Sequence, residues 1–440
     1  MMIRNLTTLA AALPLLAVLT LAEDVTCFRG PDRQGVFNET NLLKTWPPSG
    51  PKQLWKTEGI GQGWGAVIRV KGRLYVTGGG PTAKVDEKLT CLDDSGKVIW
   101  QVTTGKTWAK SFQYARSTPT FVDTPDGGRL YLSTGGGEIF CVKADDGAIV
   151  WKHDFAADYG GRPGSWGYAE SIAAADGMVF ATPVGNKASL VAYDQKTGNV
   201  VWEAAPLDGI AAYVTPVIHS GQIIQITGTY VFGADVKTGK IHWKFDFASA
   251  FEEKGRREIS CVTPLVSGRR IFATRGYNHG SVMLEVAPDG NSVKLLWKNK
   301  DLDTQHGGVV HLNGRIYGST WINNGSGEWA CLDAQTGRTI FMQPWQTPGK
   351  DGQPPPVDKD GKPVPLGKGI TFAADGMLYQ LEEKRGTLAL ARPDQDGLDI
   401  VSSFNITYGA KEYWSCPVIS DGIMYVRRGD VLAAYDVKAK

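Results

Sequence analysis

Two histidines, a carboxylate with an amide downstream, and six cysteines are the residues whose types could do chemistry in this chain of 440 residues. His279 and His306 could act as acid and base, but no committed carboxylate partner accompanies them, and hydrogen bonding within loops is the plainer reading. Glu170 and Asn186 offer hard oxygen ligands for calcium, although a lone carboxylate of this kind is more often solvated or paired. Asp358-Lys359-Asp360-Gly361 and Asp394-Gln395-Asp396-Gly397 echo calcium loops without the closing bidentate Glu, so they read as turns. There is no G-x-x-x-x-G-K-[ST] phosphate loop, no H-E-x-x-H zinc helix and no serine nucleophile elbow. No residue is assigned as catalytic and none as a metal ligand.

The cysteines are Cys27, Cys91, Cys141, Cys261, Cys331 and Cys416, with no C-x-x-C and no adjacent pair. Cys91, Cys141 and Cys331 share one place in a repeated unit that Ala192, Gly233, Ala391 and Ala434 fill elsewhere. A place that takes Cys, Ala or Gly is a small buried core position, so mostly free thiols are expected. Whether Cys27 meets Cys416 stays open.

Composition narrows the class. With 47 basic and 45 acidic residues the net charge is +2, which provides no global field for nucleic acid. Gly (54), Pro (23) and Trp (14) are abundant, which favours short strands and tight turns over long helices. At the N-terminus Arg4 precedes an apolar stretch from Leu6 to Leu21, and Thr20-Leu21-Ala22 has the character of a cleavage site. Residues 1–22 are therefore expected to be a signal peptide. A retained anchor is the alternative, while lipidation at Cys27 is disfavoured by Glu23, Asp24 and Thr26. The mature chain is expected to be periplasmic or secreted, with no membrane span after cleavage.

A turn followed by a strand then recurs along the chain. It appears as Asp93-Asp94-Ser95-Gly96 leading to Trp100, Asp145-Asp146-Gly147 to Trp151, Asp194-Gln195-Lys196-Thr197-Gly198 to Trp202, and Asp235-Val236-Lys237-Thr238-Gly239 to Trp243. Gly290 reaches Trp297 through an insertion, Gly337 leads to Phe341, and Gly397 closes a degenerate copy; the mean period is about 50 residues. Each period also holds an upstream strand, often with Pro, and a tight turn such as Asn313-Gly314 or Asp421-Gly422, whose residues accept positive φ. Four antiparallel strands per period is a propeller blade.

Eight inner strands can be counted, and the last unit lacks its outer strand. Lys52-Gln53-Leu54-Trp55-Lys56 supplies a spare one. The expected fold is therefore all-β: an eight-bladed propeller of four-stranded antiparallel blades over 51–440, closed by the N-terminal strand in the last blade. Residues 23–50 form an extended leader and 344–368 an inserted loop. Trp55, Trp100, Trp151, Trp202, Trp243, Trp297 and Phe341 are expected to dock flat between adjacent blades.

The Ala/Cys-x-Asp-x-x-Thr/Ser-Gly-x-x-x-Trp unit resembles the tryptophan-docking motif of the pyrroloquinoline quinone (PQQ) repeat family, and Phe28-Arg29-Gly30-Pro31-Asp32 is similar to the start of its exported bacterial members. Kelch propellers are the rival, on the strength of Gly78-Gly79-Gly80 and Gly135-Gly136-Gly137, but only two units carry that run. The resemblance implies either a quinoprotein dehydrogenase binding PQQ and calcium on the axis or a non-catalytic relative of the outer-membrane assembly scaffold. Those enzymes carry adjacent cysteines over the cofactor. This chain has none, so no cofactor is expected.

Propeller geometry places the long aromatic loops on one face. The candidate ligand surface there is Trp64, Arg116, Trp166, Tyr168, Glu170, Arg275, His279, His306, Trp321 and Trp414. Trp and Arg at a funnel mouth fit a peptide, a glycan or a flat ligand. The favoured function is a monomeric, exported, non-catalytic binding or assembly scaffold with a protein or glycan ligand. The alternatives are a PQQ- and calcium-dependent dehydrogenase of alcohols or sugars, and a carbohydrate-binding propeller.

Overall fold

The computed structural model of the protein describes residues 24–80, 85–108, 110–251, 259–324, 326–343 and 367–439. The expected signal peptide and all but the last two residues of the expected 344–368 insertion lie outside them.

Eight sheets form an eight-bladed β-propeller. Blade 1 comprises Ile68–Val70, Arg73–Gly78, Lys88–Asp93 and Val98–Thr103 in simple antiparallel order. Blades 2 to 8 repeat this from inner strands Thr120–Val122, Ala173–Ala175, Val217–His219, Leu265–Ser267, Val310–Leu312, Gly369–Ala374 and Val418–Ser420. Blade 8 takes its outer strand from Lys52–Thr57, which pairs antiparallel with Val431–Asp436 and sets Trp55 opposite Ala434. The two chain ends thus share a sheet and close the ring.

Local chemistry explains the regularity. The turn between first and second strands has both central residues at positive φ, as in Asn313 (51°) with Gly314 (76°) and Asp375 (49°) with Gly376 (73°). Such a turn has the twist that matches a hairpin. Between third and fourth strands the leading Asp closes the turn itself. Asp194 Oδ1 accepts from the amides of Lys196 and Thr197 and from the Thr197 hydroxyl, and Asp235 and Asp333 do the same in their blades.

The indoles lie at the seams. The Trp100 ring of blade 1 lies over Gly147 of blade 2, where a Cβ would come within 2.8 Å of it. Trp55, Trp151, Trp202 and Trp297 face Gly96, Gly198, Gly239 and Gly337 of the next blade in the same way. Trp55, Trp151 and Trp202 donate Nε1 to the carbonyls of Asp94, Gln195 and Val236 at 2.8, 3.1 and 3.0 Å. Trp243 donates instead to Gln222 Oε1 of its own blade, and Gln222 Nε2 bridges to Gly290 O of the next. Phe341 is buried, but Gly397 opposite it meets only the Gln343 side chain.

The residue directly across the ladder from these rings is small in every blade but the fifth, where Met283 faces Trp297. Cys91 faces Trp100, Cys141 faces Trp151, Ala192 faces Trp202, Gly233 faces Trp243 and Cys331 faces Phe341. The three cysteines are fully buried there, and all six thiols of the chain are free.

The leader is more than a link. Residues 25–46 cross the end of the ring opposite the aromatic loops. Val25 bridges Arg69 of blade 1, and Thr26 O accepts from Phe121 N of blade 2. Arg33 donates to Ile172 O before blade 3, and Gln34 Oε1 accepts from Val266 N of blade 5. Arg29 donates to Val309 O and Thr371 O in blades 6 and 7. Val36–Phe37 then adds to Ala373–Ala374 as a parallel fifth strand, so blade 7 exceeds the expected four, and Glu39 caps the Asp421-Gly422 turn of blade 8. Each of these bonds replaces water on a polar group, which fastens this strap across the axis.

A candidate ligand cavity on the propeller axis

A cavity of about 320 Å³ opens on the face of the long loops. Every blade contributes a residue to its wall: Trp64, Arg116, Ala169, Tyr213, Cys261, His306, Lys368 and Trp414, in blade order. Seven of them stand four residues ahead of their inner strand; Lys368 stands one ahead because that strand begins earlier. Hydroxyls two residues further on tie neighbouring blades together beneath the cavity. Ala66 N donates to Thr118 Oγ1, Thr118 N to Ser171 Oγ and Ser171 N to Thr215 Oγ1, at 2.8 to 3.0 Å. The wall therefore stands on a rigid inner collar. Phe28, from the strap, lies at the bottom.

Aromatic rings make up much of the lining. Trp64 lies 5.1 Å from Trp414 and 6.0 Å from Phe112, and Phe112 lies 5.6 Å from Trp414, between ring centroids. Trp166 packs on Tyr213 at 5.4 Å, and Tyr277 lies further round the wall. Phe112 is 41% exposed and has a φ of 56°. That backbone state is uncommon for a bulky residue and is often found beside ligands.

The charges are arranged unevenly. In blade 7 the Glu383 carboxylate accepts from Lys368 Nζ through Oε1, and through Oε2 from Trp414 Nε1 at 3.1 Å, with His306 Nδ1 at 3.4 Å. Burial alone would raise this carboxyl, but His306 and Lys368 outweigh it and hold it at about 2. Burial lowers both His306 and Lys368. Across the cavity Arg116 donates to Trp166 O and Phe112 O, and its guanidinium lies 5.8 Å from the Trp64 ring. Burial pushes Arg116 down to about 10. Cys261 is pushed up to about 12 by burial, which leaves it an unreactive thiol.

Of the ten candidate residues, the structure brings Trp64, Arg116, Trp166, His306 and Trp414 together around this cavity. Trp321 stands behind the wall, its ring 5.1 Å from Tyr277. The other four are corrected to places inside the blades. Tyr168 is buried and donates to Pro183 O. Glu170 is buried beneath Thr182, whose amide donates to it at 2.7 Å, and Gln225; burial raises its carboxyl to about 7. Arg275 is fully buried, donates to Thr227 O and covers the Phe247 ring at 4.6 Å. His279 is buried with Nδ1 on Gly276 O at 2.8 Å. Loop position suggested exposure for these four, but polar groups in such loops point inward to satisfy blade backbone.

Sequence reasoning missed Lys368, Glu383, Tyr213, Phe112 and the floor residue Phe28. The regular spacing ahead of each inner strand was available as a signal for Tyr213 and, less directly, for Lys368. Glu383 comes from a loop between second and third strands and carries no such signal.

For calcium the residues present do not fit. Both Glu383 oxygens are already engaged, Glu170 is sealed in its blade, and Asn186 is exposed on a separate loop. Among the described residues no group of three His, Cys, Asp or Glu side chains is placed to hold a metal.

The family described as PQQ_2, outer membrane protein assembly factor BamB, matches residues 85–343. No curated protein matches the chain. Among solved structures, BamB from Moraxella catarrhalis is 12% identical with a TM-score of 0.59, covering 88% of this chain and 99% of its own. A europium-containing methanol dehydrogenase is 11% identical with a TM-score of 0.61, covering 92% and 90%. Quinohemoprotein alcohol dehydrogenase from Comamonas testosteroni is 11% identical with a TM-score of 0.60, covering 95% and 81%. Likeness at such identities concerns the fold.

Proposed function

Because the chain belongs to the PQQ-like β-propeller family of the outer membrane protein assembly factor BamB, we propose that it is a non-catalytic, extracytoplasmic scaffold that holds a protein partner on its loop-rich face. One observation carries the reading. The axial cavity is built by all eight blades and lined largely by rings, with Arg116 as a cation outside any ion pair, while the carboxylate of Glu383 is tied to Lys368, His306 and Trp414. Groups fixed in this way orient and recognise; none is left poised to move a proton or attack. Trp, Tyr and Arg in a partly desolvated pocket are also the residue types that dominate protein interfaces.

The dehydrogenase reading is weaker because it needs a hard cation ligand set on the axis, and Glu383 and Glu170 are otherwise engaged. The exported location rests on the character of residues 1–22 and on the family. No helix among the described residues is long and apolar enough to cross a membrane.

The test is capture of tagged full-length protein from cross-linked cell envelopes. A stoichiometric protein partner, lost on Trp166→Ala with Trp414→Ala, is expected. Saturable PQQ binding with calcium, accompanied by dye reduction, would overturn the scaffold reading.

A further inference from the structure

The cavity contains a cation without a counter-ion. Lys368 and Glu383 neutralise each other, and Lys384 and Glu412 at the lining offset in charge. Arg116 is left with main-chain carbonyls only, and among the described residues no carboxylate lies within ion-pair distance of it. The strongest charge acting on it comes from Glu87, fully buried with Gly135 N on Oε1, and burial raises that carboxyl to about 8, so most of it is protonated at pH 7. A guanidinium has five donors in a fork suited to a carboxylate. Around Arg116 stand ring faces that keep some exposure: Trp166, Tyr213, Trp414 and Phe112. A cavity of about 320 Å³ is at the small end for ligand sites and receives one ring-bearing residue rather than a length of strand.

The geometry points to the carboxyl terminus of a protein partner ending in an aromatic residue as the occupant, with its carboxylate on Arg116 and its ring among Trp166, Tyr213 and Trp414. This rests on the scaffold reading and names the part of the partner that is recognised. The carboxylate supplies the missing counter-charge, and the ring replaces water against the aromatic wall. A terminal amide, or an internal loop without Asp or Glu, would leave the guanidinium desolvated and unpaired, and an internal acidic residue brings chain on both sides of it, for which a cavity of about 320 Å³ has little room.

The test uses the full-length protein and two probes, N-acetyl-phenylalanine and N-acetyl-phenylalaninamide, followed by quenching of tryptophan fluorescence and by calorimetry. The acid is expected to bind at least about tenfold more tightly than the amide, a preference worth about 1.4 kcal/mol. A short peptide ending in Phe should compete with the acid, and one ending in Ala should not. Arg116→Lys should retain a reduced preference and Arg116→Gln should abolish it. If Arg116→Gln fails to fold, the acid–amide comparison on the unaltered protein still decides. Equal affinity for acid and amide, binding of neither, or better binding of a free acid than of every peptide would overturn the assignment. Capture of a partner together with equal acid and amide affinity would sink this inference and leave the scaffold reading standing.

Discussion

Arg29 fills the hollow left by Gly308: a Cβ on that glycine would come within 2.0 Å of Nη1. The glycine belongs to the approach to blade 6 and has a φ of 67°. Any side chain there is therefore strained as well as crowded. Through this fit the strap reaches Val309 O at 2.5 Å and Thr371 O at 3.3 Å.

Arg29→Ala should therefore destabilise the ring by about 2–4 kcal/mol, because it strands those carbonyls and vacates a filled space. Gly308→Ala should act in the same direction by expelling the guanidinium. Thermal unfolding of both variants checks this, and the double variant should be far less than additive, since the two positions share one contact. Unchanged melting in Arg29→Ala would mean that the strap lies on the ring without supporting it.

The seams allow a sharper comparison. Trp202 donates its Nε1 to Val236 O, whereas Trp100 Nε1 has no partner among the described residues although both rings cover a glycine of the next blade. Replacement by Phe removes the donor and keeps most of the ring. Trp202→Phe should cost about 1 kcal/mol more than Trp100→Phe, while the two Ala variants should each cost about 3–5 kcal/mol. Chemical denaturation of the four variants gives the ranking directly.

The architecture was legible because it is written repeatedly. The turn Asp, its Gly and the following Trp recur with a fixed spacing; the Asp closes its own turn and the Trp meets the Gly of the next copy, so every partner is itself part of the repeat. Lys52–Thr57 could be placed in blade 8 because an unpaired edge and a spare strand are both visible in sequence. The strap was not legible: Arg29, Arg33 and Gln34 act on blades 139 to 342 residues away, and nothing near them in sequence repeats. The site was half legible for the same reason. Trp64 and Trp414 hold the repeated place ahead of their inner strands, and Trp166 lies in the long aromatic loop that leads to it, so these three could be picked out. Whether a polar loop residue such as Glu170 or Glu383 faces the axis or the blade interior depends on a packing partner in another blade.

The pH dependence of Glu87 gives a test in the alkaline direction. Its folded carboxyl is raised to about 8, chiefly by burial, so the folded state keeps a proton that the unfolded chain releases near 4.5. Stability from this group is therefore whole below about 4.5 and is lost as pH rises towards 8. Glu87→Gln, which can still accept from Gly135 N, removes that loss. The variant should match the parent at pH 4 and melt several degrees higher at pH 8; equal melting at both values would contradict a protonated Glu87.

Glu383 should behave in the opposite sense. It too is buried, yet Lys368 and His306 hold its carboxyl at about 2. A depressed carboxyl contributes stability above its unfolded value and loses it as pH falls through the folded one, here between about 4.5 and 2. Glu383→Gln leaves Lys368 buried without a counter-charge, and breaking such a pair from one side costs about 3–5 kcal/mol. The loss should be full at pH 7 and should shrink to a small remainder at pH 2, where the parent carboxyl is itself about half protonated. Because Trp414 Nε1 donates to the same carboxylate, its emission should shift with the substitution at pH 7. A stability loss that persists undiminished to pH 2 would mean that Glu383 acts through packing, and that the cavity wall is not held by charge.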